Sequence, residues 1–247
     1  VRGYKRSSFY FFKTKPLLGV AYLYESILEY FVLKLIDSKV SLSFITRNDV
    51  PSWLNNQAQV FCFPNVYHLA PVSNDFAVYK NTPMRIGLVG NFRTILNNQI
   101  LISLLKYQFP FEREIVLFGQ CPIKEKEYAA DVKVHGEFDD LQCIKDLFDI
   151  GYCCSPLQAG IQNKVIDYLF LNKPILIDDA VYTSFSNDEF YKILMESPFV
   201  FRDASSLICF NYDEKSNRDE HIACLKKFVT VNESHLKSNL HRVVVKC

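Results

Sequence analysis

The sequence predicts an α/β protein with a doubly wound, Rossmann-like parallel sheet and a partial second α/β domain at the N-terminus. From residue 85 onward, short aliphatic runs alternate with segments of helical periodicity. Such alternation requires right-handed crossovers, which place helices on both faces of a parallel sheet. A content of 49% hydrophobic and 22% charged residues is typical of a globular protein with a substantial core.

The N-terminal part is predicted to contain few elements. Apolar residues at three- and four-residue spacing predict a helix over 22–36, and alternation predicts strands over 40–45 and 60–63. A short helix is expected over 48–53. The stretch 67–83 is rich in Pro, Asn, Ser and Asp and lacks periodicity, so it is predicted to be a linker. We therefore expect a partial N-terminal domain and linker over residues 1–80.

The segment 81–205 is predicted to form the main domain. Strands are expected at 85–89, 114–118, 132–135, 150–154 and 174–177, and helices at 97–107, 124–130 and 161–171. Another helix is expected to start at an Asp139 cap and end near Phe148. A helix at 188–195 and a strand at 199–201 would complete this domain. Residues 206–247 are predicted to be a C-terminal helical extension, with a helix near 219–229 and either a strand or a frayed end at 242–245.

Composition excludes several classes of function. The chain has 28 Lys and Arg against 27 Asp and Glu, a balance that does not favour a nucleic-acid partner. The eight cysteines form no CxxC pair, and no His lies at zinc-finger spacing, so no metal site is expected. We interpret the cysteines as reduced core residues of a cytosolic protein. The five histidines form no HExxH motif.

The first fifteen residues combine five basic residues with aromatic ones and contain no acid. This pattern suits peripheral contact with an anionic membrane surface. The alternative is a surface between domains with exposed basic residues. The longest charge-free run near the start, 16–24, is too short to cross a bilayer, and no signal-peptide pattern is visible. The expected location is cytoplasmic, with membrane association left open.

Ligands of doubly wound sheets bind beyond the carboxyl ends of the strands, so the turns after the strands are the candidate sites. After the first strand of the main domain, Gly90-Asn91-Phe92-Arg93 offers a glycine, a carboxamide and a guanidinium ahead of a helix. These groups suit phosphate oxygens. A solvated arginine in a surface turn is the alternative interpretation.

The turn after Cys154 is the most informative part of the sequence. Gly160 permits close approach of the backbone, and the helix that follows offers its positive dipole end. Lys164 adds a point charge near that end, and Asp167 can accept hydrogen bonds from sugar or ribose hydroxyls. These groups suit a diphosphate, although a capped surface helix with a solvated Lys and Asp explains the pattern equally well.

The run from Ser155 to Leu176 resembles the donor-binding segment of retaining GT-B-fold glycosyltransferases of the large family-4 type. That segment combines a glycine-containing turn, a Lys, an acidic residue and a later Gly-Lys-Pro or similar sequence. Supporting matches occur in order along the chain. They are Phe63-Pro-Asn, Gly90-Asn-Phe-Arg, Leu117-Phe-Gly and His135-Gly-Glu-Phe. The resemblance covers roughly residues 20–205 and makes 81–205 the nucleotide-sugar-binding domain.

The resemblance implies roles for individual residues. Lys164 and Arg93 would be the catalytic residues, stabilising charge on the leaving nucleotide diphosphate. Asp167 stands where the family has the second Glu of its paired-acid motif and would contact the donor ribose. The first acid falls at Ala159, which departs from the family pattern. The further donor-binding residues implied are Gly90, Asn91, Gly136, Glu137, Phe138, Gly160, Ile161 and Asn163.

The implied activity is transfer of a hexosyl group, with retention, from a nucleotide-sugar donor to a glycan or lipid-linked acceptor. This reaction belongs to polysaccharide or glycoconjugate synthesis and requires neither a cofactor nor a metal. Two alternatives stay open. The Ala159 departure fits a catalytically inactive nucleotide-binding or interaction module. A GT-B nucleotide-sugar epimerase would share the nucleotide site but would need several carboxylates around the sugar.

Overall fold

The computed structural model describes residues 16–35, 41–44, 59–62, 83–121, 131–155, 162–212 and 214–244. The helices are α1 (Pro16–Leu35), α2 (Ile95–Lys106), α3 (Asn163–Phe170), α4 (Asp179–Ser186), α5 (Ala204–Cys209) and α6 (Lys215–Val244). The strands are β1 (Ser41–Phe44), β2 (Gln59–Cys62), β3 (Met84–Val89), β4 (Arg113–Phe118), β5 (Val132–Gly136), β6 (Ile150–Cys153), β7 (Ile175–Ile177) and β8 (Val200–Phe201). Two 3-10 helices span Leu141–Leu147 and Lys192–Glu196.

The main sheet is parallel throughout and has the strand order β5-β4-β3-β6-β7-β8. Relative to its first strand, β3, this is the doubly wound order 3-2-1-4-5-6. The chain winds outward through β4 and β5, returns to pair β6 with β3, and then winds in the other direction. β1 and β2 pair with each other in a separate parallel sheet. The predicted fold class is therefore confirmed.

Two hydrophobic clusters lie on opposite faces of the main sheet. Alternation along β4 separates them, since Ile115 and Leu117 belong to one cluster and Val116 and Phe118 to the other. The first cluster, which contains Ile115 and Leu117, is completed by residues of α2 and α5. The second cluster, which contains Val116 and Phe118, is completed by residues of α3, α4 and α6. Helix α6 buries Leu225 and Phe228 in the second cluster. The C-terminal helix therefore shares the core of the sheet.

Buried polar groups tie α6 to the rest of this core. The Nδ1 atom of His221 lies 2.8 Å from Ser197 Oγ, and its Nε2 lies 3.1 Å from the carbonyl oxygen of Leu169. Because a carbonyl oxygen only accepts, Nε2 carries the proton and Nδ1 accepts from Ser197. Burial lowers the pKa of His221 to about 4. The imidazole is thus held neutral, stacked on the ring of Phe199 at 4.2 Å.

The strands predicted up to residue 201 all occur, and each bound lies within one residue of the predicted one. The helix expected at 188–195 is wrong. Helix α4 ends at Ser186, and the next helical segment is a 3-10 helix that starts at Lys192. α4 begins after Asp178, whose carboxylate accepts the backbone N–H of Val181 at 2.8 Å. Helix α5 was not predicted from the sequence; Asp203 caps it by accepting the N–H of Ser206.

Other expectations are corrected in detail. The segment after β5 is a 3-10 helix capped by Asp140, not a helix capped by Asp139. The helix predicted near 219–229 is part of α6, which continues to Val244, so of the two alternatives left open at 242–245 the strand does not form at 242–244. Of the described cysteines, three are buried, but Cys143 and Cys209 are exposed. The predictions made for 1–15, 48–53, 67–82, 124–130 and Phe63-Pro-Asn lie outside the described residues. The three-part domain division stays a prediction.

Among the helices in the described parts of the chain, none has the length and apolar character needed to span a membrane.

Candidate functional site

The strand order places one crevice at the carboxyl edge of the sheet. Strands β3 and β6 are neighbours, yet the chain leaves them in opposite directions, so their following loops diverge. Ligands of doubly wound folds bind at this switch point. Gly90 follows β3, and Cys154 follows β6. The ends of β3 and β6, after which the two candidate turns were predicted, therefore border the same crevice.

The loop after β3 is a tight turn held by side chains. Asn91 accepts the backbone N–H of Arg93 through its Oδ1 atom at 3.0 Å, and its carbonyl oxygen accepts the Thr94 hydroxyl at 2.8 Å. Thr94 in turn caps α2, since its hydroxyl oxygen accepts the N–H of Asn97. Phe92 is buried beneath the turn, whereas Arg93 is exposed. The turn thus directs the Arg93 side chain away from the core.

Glycines let the neighbouring loops pack against this turn. Gly119, after β4, has φ of 115°, and a β-carbon there would overlap the carbonyl group of Gly90. The Gly90 N–H donates to Phe118 at 2.9 Å, and the Gly119 N–H donates to Gly136. Gly136, the last residue of β5, has φ of 79°. The loops following β3, β4 and β5 therefore form one connected layer at the edge of the sheet.

Lys164, on the first turn of α3, reaches across the crevice to this layer. Its ammonium donates to Asn97 Oδ1 at 3.0 Å, and a β-carbon built on Gly90 would lie 3.0 Å from Lys164 Nζ. Asn97 Nδ2 donates to the carbonyl oxygen of Asn91, also at 3.0 Å. The structure thus brings Gly90, Asn91 and Lys164 together, with Asn97 as the link. Because Gly90 has no side chain, the ammonium can lie directly over the backbone of the turn.

Burial disfavours the charges of both Lys164 and Asp167 on α3. It lowers the pKa of Lys164, an effect that nearby Cys153, Cys154 and Asp167 partly offset. It raises the pKa of the Asp167 carboxyl to about 6, although Lys164 opposes the rise. Burial also raises the pKa of the Cys153 thiol to about 12 and that of the Cys154 thiol to about 11. Perturbed groups in a crevice are typical of ligand-binding sites.

The start of α3 adds a dipole to these charges. Gln162 occupies the cap position, and in the described part of the chain its side chain does not hydrogen-bond to the helix start. The positive end of the helix dipole is therefore not offset by a capping side chain. Asn163, the first residue of α3, is exposed at this end. An anion in the crevice would meet both the helix end and the Lys164 ammonium.

The remaining predicted site residues are distributed around the crevice. Glu137 is exposed, and half-buried Phe138 packs its ring edge-on against Phe118 at 6.3 Å. Gly160 and Ile161, together with Ala159, lie outside the described residues. Among the residues that are described, no group of three or more His, Cys, Asp or Glu side chains could hold a metal ion.

Two residues that the sequence analysis did not assign to the site shape it. Asn97 links Lys164 to the turn after β3. Asp178, after β7, accepts the N–H of Ser155 through one carboxylate oxygen at 2.9 Å and caps α4 with the other. Asp178 follows a buried strand and precedes a helix, which is a recognisable capping signal. The contact of Asn97 has no such local signal.

No model of a known protein family matches the chain. No curated protein sequence matches it either.

Solved structures do match. A mutant of S. aureus TarM, in complex with fondaparinux, alpha-GlcNAc-glycerol and UDP, is 14% identical with a TM-score of 0.54, covering 86% of this chain and 45% of TarM. Anabaena Alr3699/HepE in complex with UDP-glucose is 14% identical with a TM-score of 0.40, and the match covers 66% of this chain and 49% of HepE. The glycosyltransferase SnogD from Streptomyces nogalater is 14% identical with a TM-score of 0.36, and the match covers 80% of this chain and 52% of SnogD.

The chain spans about half the length of these solved structures. At this level of identity the likeness concerns the fold, and the TarM match carries it. The chain thus has a Rossmann-like α/β fold, a parallel six-stranded sheet with flanking helices, in common with glycosyltransferase structures of the GT-B type.

Proposed function

We propose that this chain binds the nucleotide-sugar donor of a retaining GT-B glycosyltransferase, which transfers a hexosyl group to a glycan or lipid-linked acceptor. The observation that carries the proposal is the crevice between β3 and β6, where the Lys164 ammonium lies over Gly90. The shared fold supports it, since TarM was solved with UDP. A nucleoside diphosphate would place its anionic groups where this chain concentrates positive charge.

In this proposal the diphosphate lies between the turn after β3 and the start of α3. The Lys164 ammonium would exchange its bond to the Asn97 carboxamide for bonds to phosphate oxygens. Binding an anion there would favour the charged ammonium, which burial otherwise disfavours. Arg93, exposed on the same turn, would contact the phosphates from the solvent side.

Asp167 lies three residues after Lys164 on α3 and would accept hydrogen bonds from the ribose hydroxyls. Gly136 ends β5, Glu137 and Phe138 follow it, and all three would border the nucleobase. Gly160, Ile161 and Asn163 would surround the sugar-diphosphate from the side of α3. These assignments extend the site along the carboxyl edge of the sheet from β5 to β6.

The chemical contribution of these residues would be electrostatic. Transfer breaks the bond between the anomeric carbon and the diphosphate oxygen, so negative charge develops on the leaving group. Lys164, Arg93 and the start of α3 would stabilise that charge without a metal ion. Groups preorganised in this way contribute several kcal/mol in comparable sites, about 2.7 to 4 kcal/mol for one oxyanion donor. The proposal assigns the acceptor hydroxyl to a second domain.

Calorimetric titration with UDP, GDP and ADP tests the proposal. We expect saturable binding of one nucleotide, lost or strongly weakened in Lys164→Ala and Asp167→Ala. Lys192→Ala and Asp219→Ala are matched controls because both residues are exposed and belong to other elements. If the folded wild-type chain binds none of the three nucleotides, or if the controls weaken binding as much as the site variants do, the assignment fails.

A further inference from the structure

The hydroxyl of Tyr168 occupies the point at which β3 and β6 separate. Tyr168 is fully buried on α3, one residue after Asp167. Its hydroxyl oxygen accepts the backbone N–H of Val89 at 3.0 Å and donates to the carbonyl oxygen of Gly87 at 3.3 Å. Both partners belong to β3, so a helix side chain completes the hydrogen bonding of a central strand.

The register of the sheet explains why this place is open. Met84 and Gly90 donate to carbonyls of the β4 side, whereas Arg85 accepts the N–H of Asp149 on the β6 side. Backbone polar groups alternate along a strand, so those of Gly87 and Val89 face β6. Among the described pairs, the ladder between β3 and β6 contains Ile86 with Ile150 and Gly87 with Gly151 and goes no further. The Val89 N–H therefore points into the crevice.

Two glycines make room for the tyrosine. A β-carbon on Gly151 would lie 2.5 Å from Cγ of Tyr168, and one on Gly87 would lie 2.5 Å from Cγ of Phe148. These glycines are the last pair of the ladder. The two rings stand over them with centroids 5.5 Å apart and planes at 68°. The sequence thus provides an aromatic wedge, Phe148 and Tyr168, seated on a glycine pair.

The wedge connects both sides of the candidate site. Val89 directly precedes Gly90, over which the ammonium of Lys164 lies. Tyr168 follows Lys164 by four residues, one helical turn along α3. The bond between Tyr168 and Val89 therefore fixes the distance between α3 and the turn after β3. A diphosphate held by both elements depends on that distance.

We propose that Tyr168 is a positioning residue of the nucleotide site, acting through Val89 on the turn at Gly90 and through α3 on Lys164 and Asp167. The inference rests on the proposed function for its ligand, but the wedge itself is a feature of the fold. Tyr168 would not touch the nucleotide. Its hydroxyl would set the width of the crevice, and its ring would set the depth.

Tyr168→Phe isolates the hydroxyl because it leaves the ring in place. Supporting contacts of this kind account for about 10- to 100-fold in affinity at metal sites. We expect the Kd of the variant for UDP, or for whichever nucleotide the wild type binds, to rise at least about 10-fold. The matched control is Tyr191→Phe, because Tyr191 is equally buried in the same cluster but lies beyond α4. Its Kd should stay within about twofold.

Amide hydrogen exchange without nucleotide provides the second readout. In Tyr168→Phe the Val89 amide should exchange at least about 10-fold faster than in the wild type, while strands β7 and β8 keep their protection. Unchanged exchange at Val89 would contradict a stabilising hydrogen bond from Val89 to Tyr168, whatever the titration shows. If the wild type binds a nucleotide and Tyr168→Phe binds it equally well, the positioning role is wrong. If the wild type binds no nucleotide, the proposed function fails, and exchange at Val89 alone tests the hydrogen bond.

Discussion

Replacing Asp167 with Asn should stabilise the fold at neutral pH. Asp167 is half-buried on α3, and burial raises the pKa of its carboxyl from 3.8 to about 6. A tenfold change in proton affinity corresponds to about 1.4 kcal/mol, so ionisation of this carboxyl lowers the unfolding free energy by up to about 3 kcal/mol. Partial exposure reduces this cost, and loss of the attraction to Lys164 offsets part of the gain. The expected increase in unfolding free energy is about 1 to 2 kcal/mol at pH 7.

The sign of this effect depends on pH. A carboxyl whose folded-state pKa is raised contributes its full stability below the unfolded pKa of 3.8 and loses it as pH rises through about 6. The advantage of the Asn variant should therefore be present at pH 7 and absent near pH 4. Urea denaturation of the wild type and the variant at both values measures it. The substitution Asp219→Asn, at an exposed position of α6, is the control and should show little change.

Two results would contradict the dominance of burial at Asp167. If Asp167→Asn lowered the unfolding free energy at pH 7, the ionised carboxylate would be a stabilising partner of Lys164. Burial would then not dominate the energetics of the crevice. A gain of equal size at pH 4 and pH 7 would also contradict it, because the charge would not be its cause.

Three further predictions concern the scaffold of the site. Gly119→Ala should lower the unfolding free energy by about 2 to 4 kcal/mol, because φ of 115° strains an alanine and the added β-carbon would overlap Gly90. Thermal or urea denaturation measures this loss, and a loss under about 0.5 kcal/mol would contradict the packing. Burial lowers the pKa of His221 from 6.5 to about 4, so the unfolding free energy should fall by up to about 3 kcal/mol as pH drops from 6.5 to 4. In His221→Gln the unfolding free energy, measured by urea denaturation, should depend less on pH over this range. Gly87→Ala should lower the unfolding free energy by about 1 to 3 kcal/mol, because its β-carbon would overlap the Phe148 ring. In a double-mutant cycle followed by urea denaturation, the loss caused by Gly87→Ala should be smaller in a Phe148→Leu background, and additive losses would argue against the contact.

The sequence was sufficient to predict the sheet because its strands are short aliphatic runs with distinct ends. It also indicated where the crevice lies, since the switch-point rule brings the turns after β3 and β6 together. The helices after β7 were harder to predict. Val181 and Phe185 are the buried residues of α4, and the residues between them are Tyr, Thr and Ser, which are weak helix formers. The Asp178 cap compensates for this weakness.

The contacts within the site could not be predicted from sequence. Lys164 and Asn97 are 67 residues apart, and Tyr168 and Val89 are 79 residues apart. Neither pair lies on one helix face or in one turn, so no local periodicity marks it. The pKa of Asp167 likewise depends on burial between elements that are distant in the chain. Such properties arise only when the sheet has been assembled.

Comparison of the two ends of the sheet separates a structural ion pair from the candidate site. At the amino end of β3, Arg85 binds Asp149 through its backbone N–H, Nε and Nη2, at 2.8, 3.2 and 2.7 Å. The hydrogen bond to Asp149 raises the pKa of Arg85, so that pair is compensated within the protein.

At the carboxyl end of the same strands, burial disfavours the charges of both Lys164 and Asp167. A fold selected for stability alone would gain from replacing them with neutral residues. The placement of Lys164 beside Gly90, with Asp167 on the same helix, makes sense if a ligand supplies the remaining compensation, with phosphate oxygens for the ammonium and hydroxyl donors for the carboxylate. The sheet thus has a compensated ion pair at its amino edge and, on the helix that follows β6, charges that the protein compensates only in part.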